Sequence, residues 1–224
     1  MRVSGKNVFN ELDLKSVRKV YLANNFKDQN IMQKIKDNNL KYVVTDSKIM
    51  DKMVPHNQGI IFEINDYNYG SIDDITREDK MVLVLDHLED PHNFGAIIRS
   101  AEARGVKHII IPKDRSVIVN ETVMKISTGA LARVNVIMVN NLVNAINNLK
   151  TRGFFVYAAE ADGEDYRKVD YADNICLVIG SEGFGLSRLV RENADVIISI
   201  PMRGKVNSLN ASVSAGILLF GIGE

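Results

Sequence analysis

The 224-residue chain has a single cysteine, Cys176, and so no internal disulfide framework. Cys176 sits in the apolar run ICLVIG, and an unpaired buried thiol suits a reducing compartment. No apolar run reaches the roughly 18 residues a membrane-spanning helix needs. The opening MRVSGKNVFNELDLK lacks the continuous apolar core of a secretory leader. A cytoplasmic protein with no membrane partner is therefore expected. Net charge is absent too, with 28 Lys and Arg against 28 Asp and Glu. A non-specific nucleic-acid coat, which carries a basic excess, is disfavoured. The histidines, His56, His87, His92 and His108, are scattered without ligand spacing, so no metal is expected. There is no GxGxxG after a first strand, no phosphate-loop lysine and no GxSxG elbow. These absences disfavour a Rossmann-type oxidoreductase, a P-loop enzyme and a serine hydrolase.

What the chain does have is alternation. NVFNEL, DQNIMQKIKDNN and SKIMDKM read as helices between the strand-like RKVYLA, KYVVTD and GIIFEI. After a polar stretch, DYNYGSIDDITRED, longer units follow. MVLVLD, HIIIP, VNVIMV, FFVYAA, ICLVIG and VIISIP are short Val/Ile-rich runs. FGAIIRSAEAR, NETVMKIS, LVNAINNLK, GLSRLVREN and LNASVSAGILLF are helical stretches between or after them. Nearly continuous apolar strands predict a parallel sheet covered on both faces. The expected organisation is a small α/β domain over 1–66, a linker over 67–79 and a larger α/β domain over 80–224. Residues 1–66 hold 11 basic and 8 acidic side chains, and the remainder 17 and 20. A difference that small is ordinary scatter.

In parallel sheets ligands sit at the carboxyl ends of the strands, so the loops there are the candidate site. The first, after MVLVLD, reads HLEDPHNFGAIIRSAEARG. Asn93 reads as a helix N-cap, and Arg99, on the first or second helical turn, interrupts the apolar AIIRSA. A structural Arg99 would pair with Asp86 or Glu102; a functional one would hold an anion. The second loop, after ICLVI, sets Gly180, Gly183 and Gly185 around Glu182 at a helix entrance. The third, after VIISIP, brings Ser208 and Asn210 to the start of the last helix, where both suit capping.

Together these loops resemble the SpoU (TrmH) family of the SPOUT superfamily, RNA ribose 2'-O-methyltransferases. DPHNFGAIIRSAEARGV, GSEGFGLSRLVRENADVIISIPM and SLNASVSAGILLF are similar to its three motifs, in order, over residues 80–222. GKNVFNEL and HNQGI resemble its small, L30e-like substrate-binding domain. Within the family the RlmB-like group, 23S ribosomal RNA guanosine 2'-O-methyltransferases, is most similar.

The resemblance implies a C-terminal α/β domain threaded into a trefoil knot, which strand periodicity does not reveal. It implies S-adenosylmethionine as cofactor, RNA rather than DNA as partner, and a homodimer whose active-site parts meet at the interface. It places Asn93, Arg99, Glu182 and Asn210 in the catalytic group, and Gly180, Ile200, Ser208 and Leu209 around the cofactor. A guanidinium is a poor base, so Arg99 is expected to act electrostatically. Lys6, Arg18, Lys19, Lys34, Lys36 and Lys41 are candidate phosphate contacts, and Phe9, Phe26 and Tyr42 candidate stacking rings. Alternatives are a tRNA or an antibiotic-resistance rRNA 2'-O-methyltransferase, or a non-catalytic RNA-binding assembly factor.

Overall fold

The computed structural model describes residues 1–223. In chain order these form β1 (Arg2–Ser4), α1 (Lys6–Glu11), β2 (Val17–Ala23), α2 (Gln29–Asp37), β3 (Tyr42–Thr45), α3 (Ser47–Met53) and β4 (Ile60–Ile64). Then come β5 (Met81–Asp86), α4 (Pro91–Ala103), β6 (His108–Pro112), α5 (Glu121–Ile126), β7 (Asn135–Val139), α6 (Leu142–Thr151) and β8 (Phe155–Asp165). The chain finishes with β9 (Ile175–Gly180), α7 (Arg188–Glu192), β10 (Val196–Ser199) and α8 (Ala211–Gly221).

Two units divide the chain. The first takes Met1–Asn68 and also Val119–Ala132; the second takes Tyr69–Ile118 and the chain from Arg133 on. The first holds a four-stranded sheet, β1-β4-β2-β3, in which only β2 and β3 run parallel. Its core includes Val20, Leu22, Ile31, Ile35, Ile60 and Phe62. Phe9, expected as a stacking ring, belongs to that core: it is fully buried, edge-on to Phe62 at 5.5 Å. Helix α5 packs on β1 of this unit. By sequence NETVMKIS falls within the larger domain, because nothing in a local pattern signals that the chain returns to an earlier unit.

The second unit is built on a six-stranded, all-parallel sheet of order β10-β8-β9-β5-β6-β7. Every residue of β5 and β6 is buried, as expected for strands covered on both faces. The chain builds outward from β5 through β6 to β7, then crosses to the other side of β5 for β8, β9 and β10. Such a crossing leaves a crevice at the carboxyl strand ends. Helix α4 packs against α8. Arg104, closing α4, donates from Nε to the carbonyl of Leu219 at 2.8 Å and from Nη2 to that of Ile222 at 3.2 Å. These bonds satisfy carbonyls that the end of α8 leaves open.

The segment 67–79, expected as a linker, is a strap built into the second unit from Tyr69 on. Gly70 bridges in parallel to Ile137, and a capping box between Ser71 and Asp74 closes a helical turn over Ile72–Asp74. Arg152 donates to the carbonyls of Ile72 and Ile75 at 3.1 and 3.0 Å and pairs with Asp73 at 2.7 Å. The polar residues that read as a boundary satisfy one another and the backbone, while Ile75 is buried as the anchor.

Candidate active site

Three strands of the second unit end in the three loops singled out by their residues. At the end of β5, Asp90 caps α4, its carboxylate accepting from His92 N and Asn93 N at 3.0 and 3.3 Å. Pro91 follows at the first helical position, where its missing N–H costs nothing. A cap of this kind contributes about 1 kcal/mol. Asn93, expected as the cap, is therefore the third residue of α4, because Asp90 takes that role and leaves the Asn93 amide available. Asn93 is 7% exposed.

The amide is used across the site. Asn93 Nδ2 donates to Glu182 Oε1 at 3.0 Å, and Asn93 Oδ1 accepts from Asn210 Nδ2 at 2.9 Å. Asn210 Nδ2 also donates to Glu182 Oε1 at 2.6 Å, and Ala211 N does so at 3.0 Å. One carboxylate oxygen thus accepts from both asparagines and from the first turn of α8. Meanwhile Asn210 Oδ1 accepts from Ser212 N at 3.0 Å and Val213 N at 3.3 Å, capping α8. Capping and site-building are therefore not rival readings of Asn210: its two amide atoms do one each.

Arg99 lies elsewhere. It sits on the third turn of α4, not the first or second, because the helix starts at Pro91. Six residues separate it from Asn93, about 9 Å along the axis and roughly 120° around it. Its side chain is exposed and makes no hydrogen bond or ion pair among the described residues. Neither expected carboxylate partner is available to it. Asp86, fully buried, binds His87 Nδ1 at 2.5 Å and Ser187 N at 2.6 Å, and Glu102 pairs with Arg133 at 2.6 Å. Within one chain, then, Asn93, Glu182 and Asn210 meet and Arg99 stands apart.

Beside this cluster opens a cavity of about 760 Å³. Gly180, Ile200, Ser208 and Leu209 all line it, together with Glu182 and residues that sequence reading missed: Glu160, Asp162, Met202 and Val206. A side chain at Gly180 would strike the Gly185 backbone, its Cβ 2.3 Å from Gly185 C and O. Ser181 and Gly185 bond reciprocally, N to O, at 3.1 and 3.0 Å, closing the loop that presents Glu182. The return of that loop is pinned by Glu160 Oε1, which accepts from Leu186 N at 3.0 Å. Arg191 of α7 binds Glu160 and forks onto both oxygens of Asp162, at 3.0 and 2.9 Å. The Arg191 guanidinium holds the Asp162 carboxyl below the usual carboxylate range. Glu160 and Asp162 share a strand face at period two, a signal present in AAEADGED. No lysine or arginine is among the described residues lining the cavity. Cys176 takes no part: it is fully buried in β9, and burial pushes its thiol up to about 12. Substituting Gly180→Ala must displace the 181–185 loop. Calorimetry on that variant is expected to show cofactor affinity reduced at least about tenfold.

Residues 80–220 match the SpoU rRNA Methylase family, and residues 3–70 match the substrate-binding domain of RNA 2'-O ribose methyltransferases. The chain belongs to the SpoU rRNA methylase family. It is 41% identical to the TrmH-family tRNA/rRNA methyltransferase YacO of Bacillus subtilis, over 97% of this chain and 93% of that one. A TrmH-family relative from Staphylococcus aureus is also 41% identical, over 91% and 87%. Among solved structures, the SpoU methyltransferase AviRb from Streptomyces viridochromogenes, in complex with AdoMet, superposes with a TM-score of 0.85 at 23% identity. That match covers 99% of this chain and 88% of AviRb, and at this identity it speaks for the fold. The A. aeolicus TrmH/SpoU tRNA modifying enzyme is 33% identical with a TM-score of 0.58, covering 65% of this chain and 75% of that one. The protein is thus an RNA methyltransferase of the SpoU/TrmH family.

The candidate RNA contacts of the first unit are mostly engaged. Lys6 pairs with Asp28 at 3.2 Å, Lys34 binds Asn10, Arg18 binds Asn65, and Lys19 lies 4.9 Å from the centroid of the Tyr21 ring. The side chains of Lys36 and Lys41 have no partner among the described residues. Tyr42 is exposed and Phe26 half-buried.

Proposed function

We propose that this protein moves a methyl group from S-adenosylmethionine to a ribose 2'-hydroxyl of RNA, on a guanosine of 23S ribosomal RNA in the cytoplasm. The observation that carries the reading is the Asn93–Glu182–Asn210 cluster set beside a cavity lined by carboxylates, with no lysine or arginine among its described lining residues. Arg191 pairs with Glu160 and Asp162, which leaves Glu182 as the lining carboxylate that suits a cationic sulfonium. The cavity volume falls in the range that holds molecules of this size. Gly180, Ile200, Ser208 and Leu209 hold the cofactor, and when bound it supplies an electrophilic methyl group. Asn93 and Asn210, fixed by Glu182, orient the RNA hydroxyl. Arg99 stabilises the negative charge that develops on the 2'-oxygen.

Arg99 reaches this site from a second copy of the chain. An exposed, unpaired arginine outside the cluster fits a homodimer whose sites each draw on both subunits. Helix α8 leaves Val213 50% and Phe220 46% exposed, apolar surface that such an interface would cover. The C-terminal strands and α8 carry the trefoil knot of the superfamily.

Ribosomal RNA is favoured over tRNA by the reach of the similarities. The structure from Sinorhizobium meliloti described as an rRNA methyltransferase covers 98% of this chain, while the tRNA enzymes cover 65% and 62%. Calorimetry tests the cofactor assignment. S-adenosylmethionine and S-adenosylhomocysteine are expected to bind and NAD not to. Tight NAD binding with no response to either would overturn it.

A further inference from the structure

A second cluster of chemistry-bearing loops lies within the first unit, unused by methyl transfer. Strands β2 and β3 run parallel and end side by side at Ala23 and Thr45. Carboxyl ends of parallel strands are where such sheets seat ligands. The loop NNFKD leaves β2 there, and the loop PHNQG enters β4 beside it, since Ala23 N donates to the Gly59 carbonyl at 2.9 Å.

The second loop is held in an unusual shape. Asn57, 5% exposed, donates from Nδ2 to Asp51 Oδ1 and to the Val54 carbonyl, both at 2.9 Å. Its Oδ1 accepts from Gly59 N at 2.8 Å. Around this buried amide His56, Gln58 and Gly59 all adopt left-handed backbone, with φ of 56°, 56° and 77°. Glycine does this freely, whereas histidine and glutamine do it under strain, and strain persists where surrounding contacts impose it.

The strained residues are displayed. His56 and Asn25 are exposed, and neither side chain has a partner among the described residues. Gln58 is exposed, with its Oε1 fixed by the Lys6 N–H at 2.9 Å. A side chain on Gly59 would lie 3.1 Å from Phe26 Cδ2, so glycine leaves that ring uncrowded. Lys6, whose ammonium sits 5.3 Å from the Phe26 ring centroid, is already paired with Asp28. The surface therefore offers amides, an imidazole and a ring, with Lys6 already neutralised and Lys27 exposed on the same loop. Amides and rings read base edges and stack on bases; cations would hold phosphates.

We infer that this loop pair reads unpaired RNA bases through Asn25, His56 and Gln58, with Phe26 as the stacking ring. These four residues supply specificity, while attraction to phosphates falls to cations such as Lys27 on the same loop. The inference rests on the reading of 23S rRNA as substrate. His56→Gly tests it cleanly, because glycine adopts the left-handed backbone more readily than histidine and removes only the ring. Asn25→Ala, at an exposed unpaired position, is the second variant. Binding of unmodified 23S rRNA transcript to the full-length protein would be measured at pH 8 across several salt concentrations. Each variant is expected to lose roughly tenfold in affinity. The salt slope, the melting temperature and S-adenosylmethionine binding should stay as in the parent. Unchanged RNA affinity in both variants would overturn the inference. So would a loss accompanied by a shallower salt slope, which marks phosphate contact. A parent protein that neither binds nor methylates the transcript would instead overturn the 23S reading itself.

Discussion

Arg99→Ala is expected to lower methyl transfer by roughly 10²–10³-fold, the usual consequence of removing one charge-stabilising group. Melting temperature and cofactor affinity should be unchanged, since Arg99 is exposed, has no partner among the described residues and does not line the cavity. Arg99→Lys should also fail, because a point charge does not reproduce a planar fork. Mixing subunits separates the two places Arg99 could act. If Arg99 serves the partner's cluster, co-refolding Arg99→Ala with Glu182→Ala gives heterodimers that hold one intact site. Random pairing then restores roughly a quarter of parental activity. No recovery, with heterodimers confirmed by mass spectrometry, would place Arg99 in its own chain's site.

Glu182→Ala carries the second large effect. One oxygen of this carboxylate accepts from Asn93, Asn210 and Ala211, so its removal leaves three donors without their common acceptor. The loss in stability is about 0.5–1.5 kcal/mol, since Glu182 and Asn210 are exposed and water can take the freed donors. For a chain of this size each kcal/mol lowers the melting temperature by about 2–4 °C. Activity should fall by roughly 10²–10³-fold, and cofactor affinity with it, because Glu182 also lines the cavity. Glu182→Gln keeps an accepting oxygen and should recover most of the stability with less of the activity. Full activity in Glu182→Ala, measured by methyl incorporation, would remove the cluster from the mechanism.

The strands of the sheet were legible because β5, β6 and β9 are short apolar runs between polar turns. The carboxyl ends of β5, β9 and β10 lead into the loops that hold Asn93, Glu182 and Asn210. Less was legible where structure depends on contacts far along the chain. The strap at 69–79 looks like a linker because its order comes from Arg152, some eighty residues on. Helix α5 looks like part of the larger domain because its partner, β1, lies at the other end of the sequence. Asn93 reads as a cap by residue type, yet Asp90, three positions earlier, does that work. Arg99 reads as needing a carboxylate or an anion because AIIRSA is apolar on either side, but helical geometry turns it outward from its neighbours. Glu160 and Asp162 were missed since β8 seemed to stop near Ala159, while the strand runs to Asp165 and carries both into the cavity wall.

The central claim concerns one atom, the ribose 2'-oxygen. Purified protein would be incubated with methyl-labelled S-adenosylmethionine and unmodified 23S rRNA transcript, and the RNA digested to nucleosides for mass spectrometry. The account predicts label in 2'-O-methylguanosine, lost in Arg99→Ala. Label in a base-methylated nucleoside, or label accepted by tRNA and not by the transcript, would contradict it.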